Sequence, residues 1–524
     1  MKNLPRVTYS NTGEDFSGVH AYLDELIPDA SNRILGKSRP ALIGGRDRGE
    51  GPVVAAKSPI DRSIVLGEFP QANAALVDEA VQAARQACPH WRGIGWPKRV
   101  AILRLGADVL EERKWDIAVA CLIEVGKSRL EAVGEVEEAI DLIRHYCDEM
   151  ERSDGFRDER PGASAVETCS VVLRPYGVFG VIAPFNFPVA LAIGMMSAAL
   201  VAGNTVVFKP SDAAGLTGRL VTEALLAGGL PDGVLNLVQG GDEAGKALAQ
   251  HPRVDGFAFT GSNAVGMTIL RHAAASTAMR PVLAEMGGKN PAFVTASADL
   301  AVAVSGVLRS AFGLSGQKCS AASKAYVARE VMGAFLEGLA AATDKLAVGD
   351  PREKDTFVGP VIDQAAVDRF NAAAKEAAQS GSILRGGEQL AGGLFDLGTY
   401  VAPTIVTGLG ADHRLNREEI FLPFISIQPF DNLDDAIADA NQSAFGLTAG
   451  IFTQDSLELD RFLNTIEAGV LYANRAAGAT TGAWPGFQSF CGWKGSGTTG
   501  KGGLGSWYVP QFMREQSRTV IQAL

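Results

Sequence analysis

Two residue types in the second half of the chain can do covalent chemistry together. Cys319 lies in Gly313-Leu-Ser-Gly-Gln-Lys-Cys-Ser320, and Glu285 lies in Leu283-Ala-Glu-Met-Gly-Gly-Lys-Asn290. A cysteine supplies a soft nucleophile and a carboxylate supplies a general base. Both runs are rich in glycine and read as turns. Polar neighbours Gln317, Lys318 and Ser320 set Cys319 apart from the small hydrophobe that most free cysteines are. A cation or a helix N-terminus beside it would favour the thiolate. If Glu285 faces an apolar cavity, its pKa rises toward the range that suits a base.

A thiolate can attack an aldehyde carbon to give a thiohemiacetal, which loses hydride to a nicotinamide ring and leaves a thioester that water must open. Such chemistry needs an oxyanion site, a cofactor site and a substrate cavity. Asn186, in Ala183-Pro-Phe-Asn-Phe-Pro188, follows an apolar run. Its amide, together with a backbone N–H beside the cysteine, could hold the oxyanion. The flanking Phe185 and Phe187 suggest a lined tunnel. Pro184 and Phe185 are assigned to its cofactor side and Phe187 to its substrate side.

The usual GxGxxG fingerprint after a strand is absent. The run Phe259-Thr-Gly-Ser-Asn-Ala-Val-Gly266 instead has glycines five apart at a strand-to-helix junction, where the helix N-terminus around Gly261 and Ser262 can receive a pyrophosphate. Lys209-Pro-Ser-Asp212 closes another strand and offers a cation and an acid for ribose hydroxyls. Asp212 would repel a 2′-phosphate whereas Lys209 and Ser211 could welcome one, so NAD is favoured and NADP stays open.

These groups require an α/β scaffold. From about residue 170 to 295, apolar runs alternate with helical stretches: Val178 to Ala183, Thr205 to Phe208, Val234 to Val238, Gly256 to Phe259 and Ala292 to Val294, with Leu216 to Ala227 as one intervening helix. The alternation predicts a parallel, helix-covered sheet with ligands at its strand C-terminal ends. Residues 74 to 152 read as helical. A second α/β unit is expected from about 290 to 485, including a helix over Val331 to Leu346. Pro161 to Arg174 reads as an exposed hairpin and Gln516 to Gln522 as a terminal strand. Unpaired edges of that kind predict an oligomer, a homodimer or homotetramer.

At 524 residues with 47% hydrophobic residues and 60 glycines, the composition is that of a globular α/β enzyme of more than one domain. The formal charge of -11 argues against nucleic acid or an anionic membrane as partner. The N-terminus lacks a secretory apolar core, and Pro188 to Gly203 reads as a buried helix rather than a membrane span. The six cysteines form no CxxC pair and no metal-type cluster, so no metal is expected and a cytoplasmic, thiol-reduced setting is.

Together the motifs from about residue 40 to 524 resemble the aldehyde dehydrogenase superfamily, whose base and nucleophile share the separation 319 - 285 = 34 seen here. The resemblance implies a Rossmann-type cofactor domain (1–155 and 175–286), an α/β catalytic domain (287–485) and oligomerisation segments (156–174 and 500–524). It implies Asn186 in the oxyanion hole, Lys209, Ser211 and Asp212 at the adenosine ribose, Gly261 and Ser262 at the pyrophosphate, and Glu419 and Phe421 at the nicotinamide ribose. Within the superfamily, Gln-Lys-Cys-Ser-Ala-Ala at 317 to 322, Leu-Tyr-x-Asn-Arg at 471 to 475 and Gly478-Ala479-x-x-Gly482 most resemble the L-glutamate γ-semialdehyde (1-pyrroline-5-carboxylate) dehydrogenases. That likeness implies Ser320, Gly478 and Ala479 at the amino acid end of a semialdehyde, and Glu138 near the aldehyde.

The sequence departs from the family at Glu419-Ile-Phe-Leu-Pro423 and in the longer, aromatic stretch 483 to 492, which leaves a longer or aromatic aldehyde as the alternative substrate. A catalytically idle scaffold is disfavoured by the intact set of Asn186, Glu285, Cys319 and Glu419. An acyl phosphate reductase would not need Glu285.

Overall fold

The computed structural model describes residues 4–11, 13–49, 51–476 and 481–521. Its frame is a pair of seven-stranded sheets. In the first, strands Val178–Ile182, Thr205–Lys209, Leu235–Leu237, Gly256–Gly261 and Val282–Met286 are parallel, and the hairpin Ala41–Ile43 with Arg46–Arg48 extends one edge. These strands are buried on both faces, which is why they read as continuous apolar runs.

From Val178–Ile182 the chain adds two strands on one side, then returns to add Gly256–Gly261 and Val282–Met286 on the other. The order therefore reverses between Val178–Ile182 and Gly256–Gly261. Beyond the carboxyl ends of those two strands lies the crevice where open α/β sheets bind ligands. Asn186 leaves one of them, and Gly261 with Ser262 leaves the other.

The expected strand at Ala292 to Val294 is present as Asn290–Val294, but it belongs to the second sheet. That sheet runs Ser382–Arg385, Thr404–Thr407, Phe424–Phe430, Ala322–Ala328, Asn290–Val294, Thr448–Phe452 and Val470–Ala473 in space. The fifth strand of the first sheet is Val282–Met286, so Glu285 sits in a strand and not in a turn. The chain crosses from one sheet to the other through Gly287, Gly288 and Lys289 alone.

Helices Ala74–Gly93, Trp96–Glu112, Lys114–Val125 and Arg129–Arg152 occupy the region expected to be helical. The apolar run after Pro188 forms helix Ala190–Ala202, buried on every side. Among the described residues no helix is long and apolar enough to cross a membrane. The hairpin and the terminal strand pair with each other, correcting the expectation of two unpaired edges: Met513–Ile521 lies antiparallel to Glu167–Pro175, which lies antiparallel to Arg157–Pro161. Among the described residues, the outer strands of this three-stranded sheet have no strand paired on their outer sides.

Candidate active site

Cys319 is delivered by a short connection between two anchored elements. Helix Leu300–Phe312, capped by Asp299, runs into a tight turn in which Leu314, Ser315 and Gly316 have φ of 49°, 53° and 66°. Left-handed backbone at two consecutive non-glycine residues is costly and persists only where surroundings enforce it. Here Ser315 Oγ donates to the Gly359 carbonyl at 2.7 Å and Lys318 Nζ to Glu131 at 2.5 Å, while Gln317 accepts the Ile362 N–H at 2.9 Å. Asn290 Nδ2 holds the Cys319 carbonyl at 2.7 Å and that of Ala321 at 2.9 Å. The thiol is thus placed before strand Ala322–Ala328 begins.

Two cavities meet at this thiol, and Cys319 and Thr260 line both. The first contains Glu285, Glu138, Phe187, Ser320, Lys318, Tyr146 and Tyr9. The second contains Pro184, Phe185, Asn186, Gly261, Ser262, Gly287, Glu419 and Phe421. The loop therefore passes from one side to the other: Phe185 and Asn186 line the second cavity and Phe187 the first.

Glu285 pairs in register with Thr260 on the neighbouring strand, and its Oε1 accepts the Gly503 N–H at 3.0 Å. Burial pushes its pKa up to about 7, against the lowering effect of that single hydrogen bond. Burial, reinforced by the negative charges of Glu419 and Glu285, pushes the Cys319 thiol up to about 12. The thiol is therefore protonated at neutral pH, and attack requires a base to take its proton. Glu285 lies in the same cavity and is poised at the pH where it can do so.

The second cavity has the marks of a dinucleotide site. Ser262 caps helix Asn263–Ala274, whose N-terminus opens toward it. Gly266 lets that helix lie against the sheet, because a Cβ there would come within 2.5 Å of Met286 Sδ. Glu419 accepts the Gly288 N–H at 2.9 Å, and burial raises its pKa to about 7. A side chain at Gly287 would overlap the Glu419 carboxylate. Phe421 takes φ of 60° and meets Phe185 edge to face, with ring centroids 6.0 Å apart. The glycines, the helix N-terminus and the carboxylate facing the thiol fit a nicotinamide dinucleotide.

Lys209, Ser211 and Asp212 are not brought to the wall of this cavity. They end the next strand of the same sheet, where Lys209 Nζ donates to the Pro210 carbonyl at 2.8 Å and Ser211 caps a short helical turn. Burial lowers the Lys209 pKa.

Glu138, on helix Arg129–Arg152, is buried. It accepts the Tyr9 hydroxyl at 2.9 Å, and burial raises its pKa to about 8. Ser320 is at the first cavity; Gly478 and Ala479 lie outside the described residues. The long stretch after them contributes Ala483 and Phe490 to the cavity wall.

Several residues here were not singled out from sequence. Lys127 sits 3.6 Å from the centre of the Phe187 ring and forms a buried ion pair with Glu135. Glu135 accepts the N–H groups of Val189 and Ala190 at 2.7 and 3.1 Å, fixing the end of the loop that carries Asn186. Lys289 is buried with no hydrogen-bond partner for its Nζ, and burial lowers its pKa to about 7. Nothing local in the sequence marked Tyr9 or Lys127. Among the described residues no group of three or more His, Cys, Asp or Glu could hold a metal ion.

Residues 48–517 match the model of the aldehyde dehydrogenase family. The 1-pyrroline-5-carboxylate dehydrogenase of Geobacillus thermodenitrificans is 36% identical over 495 residues, 93% of each chain. The structure of 1-pyrroline-5-carboxylate dehydrogenase from Thermus with bound NAD superposes with a TM-score of 0.92 at 30% identity, over 100% of both chains. Proline utilization A from Bdellovibrio bacteriovorus matches 96% of this chain at 32% identity and a TM-score of 0.90, and the chain spans 52% of that protein.

Proposed function

The chain belongs to the aldehyde dehydrogenase family, and on that premise we propose that it oxidises L-glutamate γ-semialdehyde to L-glutamate with NAD, using Cys319 as nucleophile, Glu285 as base and Asn186 in the oxyanion site. The observation that carries the reading is the meeting of two cavities at one thiol. One holds a carboxyl that titrates near neutrality, and the other is shaped for a dinucleotide.

Glu285 takes the Cys319 proton as sulfur attacks the aldehyde carbon. Asn186 and a main-chain N–H beside the cysteine hold the resulting oxyanion. The second cavity would hold NAD, with Glu419 and Phe421 at its nicotinamide ribose and Gly261 and Ser262 at its pyrophosphate, and its adenosine end would extend beyond that cavity toward Lys209, Ser211 and Asp212; when bound it would supply the hydride acceptor. Once Glu285 has released that first proton to solvent, its anion, favoured above pH 7, removes a proton from the water that opens the thioester and frees the Cys319 thiolate. Ser320 and Glu138 are assigned to the substrate, with Gly478 and Ala479.

The cofactor domain is assigned to 1–155 and 175–286 and the catalytic domain to 287–485. The free sheet edges, with Val520 and Ile521 exposed, support self-association through 156–174 and 500–524 as a homodimer or homotetramer. Six free cysteines support a cytoplasmic setting.

Comparing kcat/KM for glutamate γ-semialdehyde with other semialdehydes and with aromatic aldehydes tests the substrate. A preference for the aromatic set would overturn it. Cys319→Ala is expected to abolish oxidation while NAD still binds, and near-normal turnover in that variant would remove Cys319 from its role.

A further inference from the structure

Resting on the aldehyde reading, we propose that Tyr9 is a specificity-determining residue, whose ring closes the aldehyde cavity on the side away from the cofactor and limits the length of aldehyde admitted. Tyr9 belongs to an N-terminal segment that precedes the family-matched residues. It reaches the cavity from 310 positions before Cys319 (319 - 9 = 310).

The segment is fastened along helix Arg129–Arg152. Arg6 donates to Glu137 at 3.1 Å and to Asp141 at 2.9 Å, and Val7 and the Tyr9 ring pack over Gly134, 3.7 and 3.5 Å from where its Cβ would be. The ring is 8% exposed. Its hydroxyl donates to Glu138 at 2.9 Å, and its edges meet Phe187 and Trp484 with centroids 6.2 and 5.5 Å apart. Asp141 also accepts the Trp484 indole N–H at 2.8 Å. One carboxylate therefore ties the N-terminal segment to the aromatic stretch 483 to 492.

Behind Tyr9 lies a further, more polar cavity lined by His20, Ser128, Arg129 and Glu131. Tyr9 and Lys318 line both this cavity and the one containing Cys319 and Glu285. They are the partition between them. Lys318 is fixed by Glu131, so the Tyr9 ring is the removable part. Cutting it back joins the two spaces and extends the room beyond the thiol.

The test compares the parent protein with Tyr9→Ala, Tyr9→Leu, Tyr9→Phe and Tyr9→Trp, each checked for its thermal midpoint. Two ratios are read: kcat/KM for hexanal against propanal, and the rate of Cys319 alkylation by N-benzyl iodoacetamide against iodoacetamide, followed at the Cys319 peptide by mass spectrometry. Tyr9→Ala and Tyr9→Leu are expected to raise both ratios by about tenfold or more, the scale at which pocket size discriminates. Tyr9→Phe should leave them unchanged and Tyr9→Trp should lower them. Unchanged alkylation ratios in the folded Ala or Leu variant overturn the proposal whatever the turnover. A shifted alkylation ratio in a protein that oxidises no aldehyde supports the partition and confines the failure to the aldehyde reading.

Discussion

Replacing Glu285 by glutamine separates what this carboxyl does for catalysis from what it costs the fold. The amide keeps the shape and can still accept the Gly503 N–H, so the change is one of charge. Holding the carboxyl at about 7 instead of its ordinary 4.5 disfavours the anion by about 3 kcal/mol at most. The native state keeps its proton to higher pH than the unfolded chain does. Stability therefore falls as pH rises from 4.5 through 7, and the full cost is present above 7. Glu285→Gln should be more stable than the parent at pH 8, by up to about 3 kcal/mol, with most of the difference gone at pH 5. Urea midpoints at the two pH values measure this.

The kinetic arm follows from the same value. About one Glu285 in eleven is ionised at pH 6 and about ten in eleven at pH 8, so thioester hydrolysis in the parent should climb about tenfold across that interval. In Glu285→Gln the climb should vanish and steady turnover should drop by about a hundredfold or more, the ordinary contribution of a general base. A stopped-flow burst of one reduced cofactor per site should keep its amplitude but rise more slowly, because the thiol must then lose its proton without Glu285 whereas hydride still leaves before water is needed. Loss of the burst in parallel with steady turnover would refute this division and place Glu285 solely at thiol activation. A retained pH climb in the variant would refute its role as base altogether.

Three further substitutions probe the surroundings. Gly287→Ala places a methyl group against the Glu419 carboxylate and is expected to weaken NAD binding at least about tenfold by fluorescence titration, since a uniform loss of about 1.4 kcal/mol suffices. Unaltered affinity would show that Glu419 can move aside. Asn186→Ala should reduce kcat by about a hundredfold or more with little change in KM, as removal of an oxyanion donor does. Lys127→Met removes one partner of the buried pair with Glu135 and should cost about 3 kcal/mol or more of stability, because an unpaired buried anion remains. Midpoints within experimental error of the parent would show that the amides of Val189 and Ala190 suffice for Glu135.

The alternating strands of the first sheet were legible because strands covered on both faces are uninterrupted apolar runs. Val282–Met286 escaped that rule because a carboxyl interrupts it, and the interruption is functional. Nothing in the run Ala292 to Val294 says to which sheet it belongs; three residues starting with two glycines turn the chain across the crevice, and that turn is a tertiary fact. Glu138 and its neighbours on helix Arg129–Arg152 look like a solvated face. They are buried because Tyr9 and the amides of Val189 and Ala190 come to them from more distant parts of the chain, while Lys127, just before the helix, pairs with Glu135. The pair Glu285 and Cys319 was legible for the opposite reason. The chain goes from Glu285 across Gly287 and Gly288, along strand Asn290–Val294, back through helix Leu300–Phe312 and the strained turn to Cys319. That is one strand-and-helix unit, and its length has to return the chain to the crevice it left. The interval of 34 residues is thus the length of a structural unit, which is why a spacing could reveal it. Tyr9 shares no such unit with the thiol, and only folding brings the two to the same cavity.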